Sequence, residues 1–316
     1  MKRVLPVLLL FLSVCLLVSS QQDPQFSMYR FNGLYLNPAY TGSHDAISAT
    51  AMYRTQWLNI PGAPQTATVA VHSPFKQDRV ALGAVYTYDQ AGVTKTNTLD
   101  VSFAYRIPIG RKKDIRLCFG VAAGFQNYRT DMNSVATTDP NDPGFVGNSQ
   151  NLWLPDASFG TYIYSQRFFA GASINHLLTN RLTGTSYPFQ QSSDIARQYY
   201  NINVNAGYVV IVSEKVKFIP SVLVKFIPAH APVSFDFNAN FVFIDRISFG
   251  VGYRLNDSYN FMLAANVTKT LRIGYCYDLV VSDLRSQTSG SHEIVLGVDF
   301  AAIAGKLHNP KSIIWF

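Results

Sequence analysis

Residues 98–106 read Thr-Leu-Asp-Val-Ser-Phe-Ala-Tyr-Arg, so Leu99, Val101, Phe103 and Tyr105 share one face of an extended strand, while Asp100, Ser102 and Ala104 share the other. Side chains of a strand alternate between two faces, and this two-faced pattern recurs to the end of the chain. A polypeptide built that way separates an apolar medium from a polar one along its whole length. Composition points in the same direction. Charged residues make up 14% of the 316-residue chain, aromatics another 14%, and Phe and Tyr number 22 and 18. A soluble domain carries charge at about a quarter of its positions. A transmembrane β-barrel runs lower, because half of each strand meets lipid and half meets a polar interior.

The first twenty residues form a separate unit. Lys2 and Arg3 precede an apolar run from Val4 to Val18, and Val18-Ser19-Ser20 supplies small residues before Gln21. That pattern predicts a secretory signal peptide over 1–20. Its apolar stretch falls short of the roughly 20 residues a membrane-spanning helix needs. Cys15 lacks a small residue before it, since Val14 stands there, which argues against lipidation. Without Lys2 and Arg3 the formal charge falls from +7 to +5, too mild a balance to predict nucleic-acid binding. Cys118 and Cys276 remain as isolated thiols and predict neither a disulfide scaffold nor a metal cluster.

The alternation predicts strands over 46–55, 66–73, 79–88, 98–106, 116–127, 157–165, 167–175, 199–211, 216–227, 233–243, 247–255, 260–267, 271–279 and 293–300. This is an all-β, antiparallel outer-membrane β-barrel of about 14 strands, most of them near the 9–11 residues that cross a bilayer at a tilt. Connections after odd-numbered strands (56–65, 89–97, 128–156, 176–198 and 280–292) are long and predict extracellular loops. Those after even-numbered strands are mostly tight and predict periplasmic turns. A soluble sandwich has no reason to sort its loops in this way. Tyr200 and Tyr208 on the 199–211 strand fit an interfacial aromatic girdle, with Asn201, Asn203 and Asn205 facing inward.

Catalytic groupings are not evident. The six histidines (His44, His72, His176, His230, His292 and His308) are scattered, and no serine sits in a nucleophile elbow. The reading is of a protein that is not an enzyme and needs no cofactor or metal. The stretch 139–144, Asp-Pro-Asn-Asp-Pro-Gly, lacks the spacing of a calcium loop and reads as turn chemistry. Gly120, Ala122 and Gly124 on an inward face fit ligand access, close packing of a plug, or simple thinning of the wall. Residues 21–45 read as an N-terminal periplasmic arm or plug ahead of a barrel at 46–316, and Asn37-Pro38 favours an extended or turning entry. Capping the periplasmic mouth and docking a periplasmic partner are both compatible with such an arm.

The arm also carries a resemblance. Gln22-Asp23-Pro24-Gln25-Phe26-Ser27, then Asn32-Gly33-Leu34-Tyr35-Leu36-Asn37-Pro38-Ala39-Tyr40-Thr41-Gly42, then Tyr53-Arg54-Thr55-Gln56-Trp57, resemble the PorP/SprF family of type IX secretion system membrane proteins of Bacteroidetes. Gly250-Val251-Gly252-Tyr253-Arg254, Gly274-Tyr275-Cys276-Tyr277-Asp278 and Gly290-Ser291-His292-Glu293-Ile294 agree with it. The resemblance implies a cell outer-membrane barrel that assists secretion or surface anchoring of cargo with a C-terminal sorting domain, such as a gliding adhesin. Its implied partners are the periplasmic ring and peptidoglycan-binding subunits, the adhesin, and outer-membrane lipid. Candidate docking residues are Asn37, Pro38, Tyr40, Gly42, Tyr53, Arg54, Gln56 and Trp57. Phe300 and Phe316 are candidates for the aromatic signal read by barrel-assembly machinery. A passive diffusion porin is the alternative that the polar inner face allows.

Overall fold

The computed structural model describes residues 23–44, 46–75, 79–110, 114–131, 150–182, 197–228 and 231–300. The leader with Cys15, Asp45, the turn at 139–144, His230, His308 and the tail with Phe316 lie outside the described residues. Extended segments follow the alternation: β1 (Ile47–Thr55), β2 (Gln65–Phe75), β3 (Val80–Ala91), β4 (Thr94–Ile109), β5 (Ile115–Thr130), β6 (Gln150–Tyr164), β7 (Phe168–Asn175) and β8 (Asn201–Tyr208). They continue as β9 (Val210–Ser213), β10 (Val216–Phe226), β11 (Ser234–Phe243), β12 (Ile247–Arg254), β13 (Ser258–Asn266), β14 (Leu271–Val280) and β15 (Ser291–Phe300). Both β8 and β9 pair with β10, so they are two halves of one crossing and the wall has fourteen crossings.

Every pairing is antiparallel, and β1 joins β15 from Ile47↔Phe300 to Thr55↔His292. That last pairing closes the cylinder, which spares the wall the open sheet edges that hydrocarbon would not tolerate, while residues 150–158 of β6 rise past β7 and pair with β5 alone. The faces sort as the alternation predicts. Leu99, Val101, Phe103 and Tyr105 are 43–56% exposed on the outside, whereas Ser102 and Ala104 are buried within. Phe249 and Val251 likewise face out beside buried Ser248.

Two expectations need correction. The expected long loop over 89–97 is a tight hairpin, because β3 and β4 run on to Ala91 and Thr94 and turn at Gly92, whose φ of 58° suits glycine. A short turn also joins β12 and β13. Strand β6 begins at Gln150 rather than 157; Pro155 masked its start, since a proline withholds a ladder donor. The 199–211 strand stands as one crossing: β8 and β9 meet β10 in one register on either side of Val209, which is buried on the inward face between exposed Tyr208 and Val210.

Strands β4, β5 and β6 are 16, 16 and 15 residues long. At a rise near 3.3 Å and a normal tilt they overreach the apolar band by on the order of 10 Å. Their outer face changes character where that happens. Leu99, Phe125 and Trp153 are followed toward the tip by Asn97, Asn127 and Asn151, and Asn127 Nδ2 donates to Asn151 Oδ1 at 2.6 Å. This projecting blade stands at the end that carries the long connections, the extracellular end.

Candidate functional site

Residues 23–44 lie inside the cylinder rather than below it. Short turns bend the segment back on itself: a 3-10 turn at Tyr29–Asn32, one α-helical turn at Gly33–Leu36 and a second 3-10 turn at Pro38–Tyr40. Asn37 starts the last turn, its side-chain oxygen accepting from Ala39 N–H at 2.9 Å. From Asp23 near the extracellular end the segment descends to His44 beside Asp299, where β1 begins. Almost all of it is buried against the inner wall.

The upper half is held by charge. Backbone N–H groups of Ser27 and Met28 donate to the two carboxylate oxygens of Glu293 at 2.8 and 2.9 Å. Arg54 bridges Glu293, at 2.9 Å, and Asp278, which also accepts from the Ser27 hydroxyl at 2.8 Å. Arg254 pairs with Asp236 at 2.6 Å and reaches Ser27 Oγ at 3.2 Å. Arg54, Asp278 and Glu293 are all buried, so each charge depends on its partners for solvation.

The lower half is held by close fit and backbone contacts. Asn37 Nδ2 donates to the Thr161 carbonyl at 2.9 Å, and Ser173 Oγ donates to the Leu36 carbonyl at 2.6 Å. A Cβ on Gly120 would stand 2.2 Å from Ala39 N, and one on Gly160 2.0 Å from Asn37 Oδ1. Of the three readings of Gly120, close packing of a plug is the one the structure shows. Tyr40 packs edge-on to His72 and Tyr162, at 5.7 and 5.4 Å between ring centres.

At the extracellular end His176 is clamped between two carboxylates. Its Nδ1 meets Asp156 and its Nε2 meets Asp23 at 3.0 Å, while Asn201 Nδ2 donates to Asp23 at 2.8 Å. Burial works against a charge on His176, but Asp23 and the hydrogen bond to Asp156 prevail and hold its pKa well above the ordinary value. Burial also penalises the Asp23 carboxylate, yet His176 holds it below the usual carboxylate range.

The eight sequence-derived docking residues do not form one surface. Asn37, Pro38, Tyr40 and Gly42 are buried in the plug, and Arg54 is buried in the wall that clasps it. Tyr53 faces outward, 46% exposed, and donates its hydroxyl to Gln65. Gln56 and Trp57 sit at the extracellular end, where Trp57 N–H donates to Ser291 Oγ at 3.1 Å. Phe300 ends β15 and is 52% exposed on the outer face. Glu293, Asp278, Asp236, Arg254 and Ser27 went unnoticed as a set in sequence, although each polar residue on an otherwise small-residue inner face was a signal. No group of three or more His, Cys, Asp or Glu able to hold a metal ion occurs among the described residues.

No curated protein matches the chain by sequence. Solved structures resemble it in outline. The outer membrane protein Omp33 of Acinetobacter baumannii is 10% identical with a TM-score of 0.46, over 82% of this chain and 100% of that one. A Pseudomonas aeruginosa FadL homologue is 13% identical with a TM-score of 0.47, over 90% and 96%. The Ralstonia pickettii toluene transporter TbuX is 10% identical with a TM-score of 0.48, over 85% and 93%. By sequence, the family of the type IX secretion system membrane protein PorP/SprF matches residues 18–298, which takes in the plug and all the strands but the end of β15. The chain thus belongs to the PorP/SprF family, an outer-membrane β-barrel component of the type IX secretion system.

Proposed function

We propose that this barrel is a closed scaffold, not a conduit, that assists secretion or surface anchoring of cargo with a C-terminal sorting domain, such as a gliding adhesin. The observation that carries this reading is the plug: the lumen is filled by the chain's own residues 23–44 and pinned through buried Arg54, Asp278 and Glu293. That filling favours a scaffold over the passive diffusion porin that the polar inner face allowed, and chemistry on a substrate finds no support in the arrangement. Cargo meets the extracellular blade and loops, where Gln56 and Trp57 stand. The periplasmic ring and peptidoglycan-binding subunits meet the short-turn end. The signal peptide over 1–20 directs export, and Phe300 serves barrel assembly.

Deleting the gene and comparing the surface proteome tests this reading. Loss of some sorting-domain proteins from the surface, restored by the intact gene, is the expected outcome; an unchanged set counts against it.

A further inference from the structure

A cavity of ≈ 190 Å³ lies between the plug and the wall at the extracellular end. A single water needs roughly 10–15 Å³ of such space, so this one has room for a side chain or a small molecule. Several acceptors in its lining have few partners or none among the described residues. Among the described residues the Asp100 carboxylate makes no hydrogen bond or ion pair, and Asp89 accepts only from the Thr66 hydroxyl at 2.6 Å. Across the cavity Asn203 is 3% exposed, yet neither atom of its amide has a partner; Asn201 is 2% exposed and its Oδ1 is likewise unpaired. Buried amides are rarely left unsatisfied in this way, because each orphaned group gives up its hydration with nothing in return.

We infer that this cavity is a binding site for an organic cation, a guanidinium or primary ammonium group entering from the extracellular end. The acidic residues are too dispersed to form a metal cluster. An extended cation with several N–H donors matches dispersed acceptors, with charge-assisted bonds to Asp100 and Asp89 and neutral ones to Asn201 and Asn203. Tyr35, Tyr128 and Tyr199 also line the space and place aromatic rings beside such a group. The opposing cations are already engaged. His176 lies between Asp23 and Asp156, Arg197 Nε donates to the Thr179 carbonyl, and Lys225 lies in the field of Asp23 and Asp236. Two sources share this chemistry, a basic side chain of a polypeptide and a free amine. The ligand class rests on the cavity alone; arrival on a polypeptide rests on the scaffold reading above.

Calorimetry on the full-length protein in detergent tests the inference with three probes: agmatine, the tripeptide acetyl-Gly-Arg-Gly-amide, and its neutral citrulline isostere. Agmatine or the arginine peptide should bind, with the citrulline peptide at least about tenfold weaker, as loss of a charged hydrogen bond implies. Asp100→Asn, which keeps shape, should weaken binding about tenfold, and Lys225→Met should strengthen it by removing a like charge. Tighter binding of the peptide than of agmatine identifies a polypeptide source, and the reverse order a free amine. No binding of either cation, equal binding of the citrulline peptide, no response to Asp100→Asn, or weakening by Lys225→Met overturns the site. Gel mobility with and without heating reports that each variant is folded. Failure here leaves the surface-proteome result untouched, so the two readings fall separately.

Discussion

Arg54 illustrates how single side chains set the state of this barrel. Its guanidinium is the cation shared by Glu293 and Asp278, and Glu293 in turn receives the backbone N–H groups of Ser27 and Met28. Arg54→Ala strands two buried carboxylates, and the expected cost is about 3–5 kcal/mol, read by urea unfolding in micelles. Glu293→Gln in that background should recover part of the loss, since one stranded charge is then gone. Asn37→Ala with Tyr40→Ala removes the wall bond to Thr161 and the packing on His72 and Tyr162. Faster hydrogen exchange over 29–42 with strand protection retained is the expected result; unchanged exchange would show that other contacts fix the plug.

His176 gives the extracellular latch a pH dependence of definite sign. Its folded pKa is raised, so its contribution to stability is fully present below its ordinary value near 6.5 and is lost as pH rises through the elevated folded value. Asp23 is depressed, so its contribution is present above the ordinary carboxylate value and is lost as pH falls through the lower folded one. Thermal melting followed across alkaline pH should therefore decline in the native protein, and His176→Gln should remove that part of the decline.

At the scale of elements, strand positions were legible because a buried inner face and a lipid-facing outer face force a period of two. What escaped was what periodicity does not encode. Pro155 hid the first residues of β6, and the β3–β4 hairpin had polar ends that read as loop. Those polar ends are the projecting blade, strand-forming by hydrogen bonding yet beyond the lipid. Gly120 carries the element-scale prediction. Its missing side chain admits the plug backbone, so Gly120→Val should leave the barrel folded and lipid-inserted while displacing residues 37–40, seen as new protease cleavage within the segment. An unchanged cleavage pattern would mean that the plug and wall shift together without separating.

At the scale of the whole molecule, the arm's residue types were readable but its place was not. Asn37-Pro38 and the glycines signal a bent segment, and nothing local says whether it lies beneath the barrel or within it. That choice is made by pairs more than 200 residues apart, such as Ser27 with Glu293 and Asn260. In the scaffold reading proposed above, the closed wall, the internal plug and the extracellular blade together make a body that presents surfaces at both ends and lets little through. Single-channel recording in planar bilayers tests this most directly, comparing the intact protein with one lacking residues 24–42. Silence from the intact barrel and discrete conductance steps from the shortened one are predicted; steady conductance from the intact barrel would contradict the account.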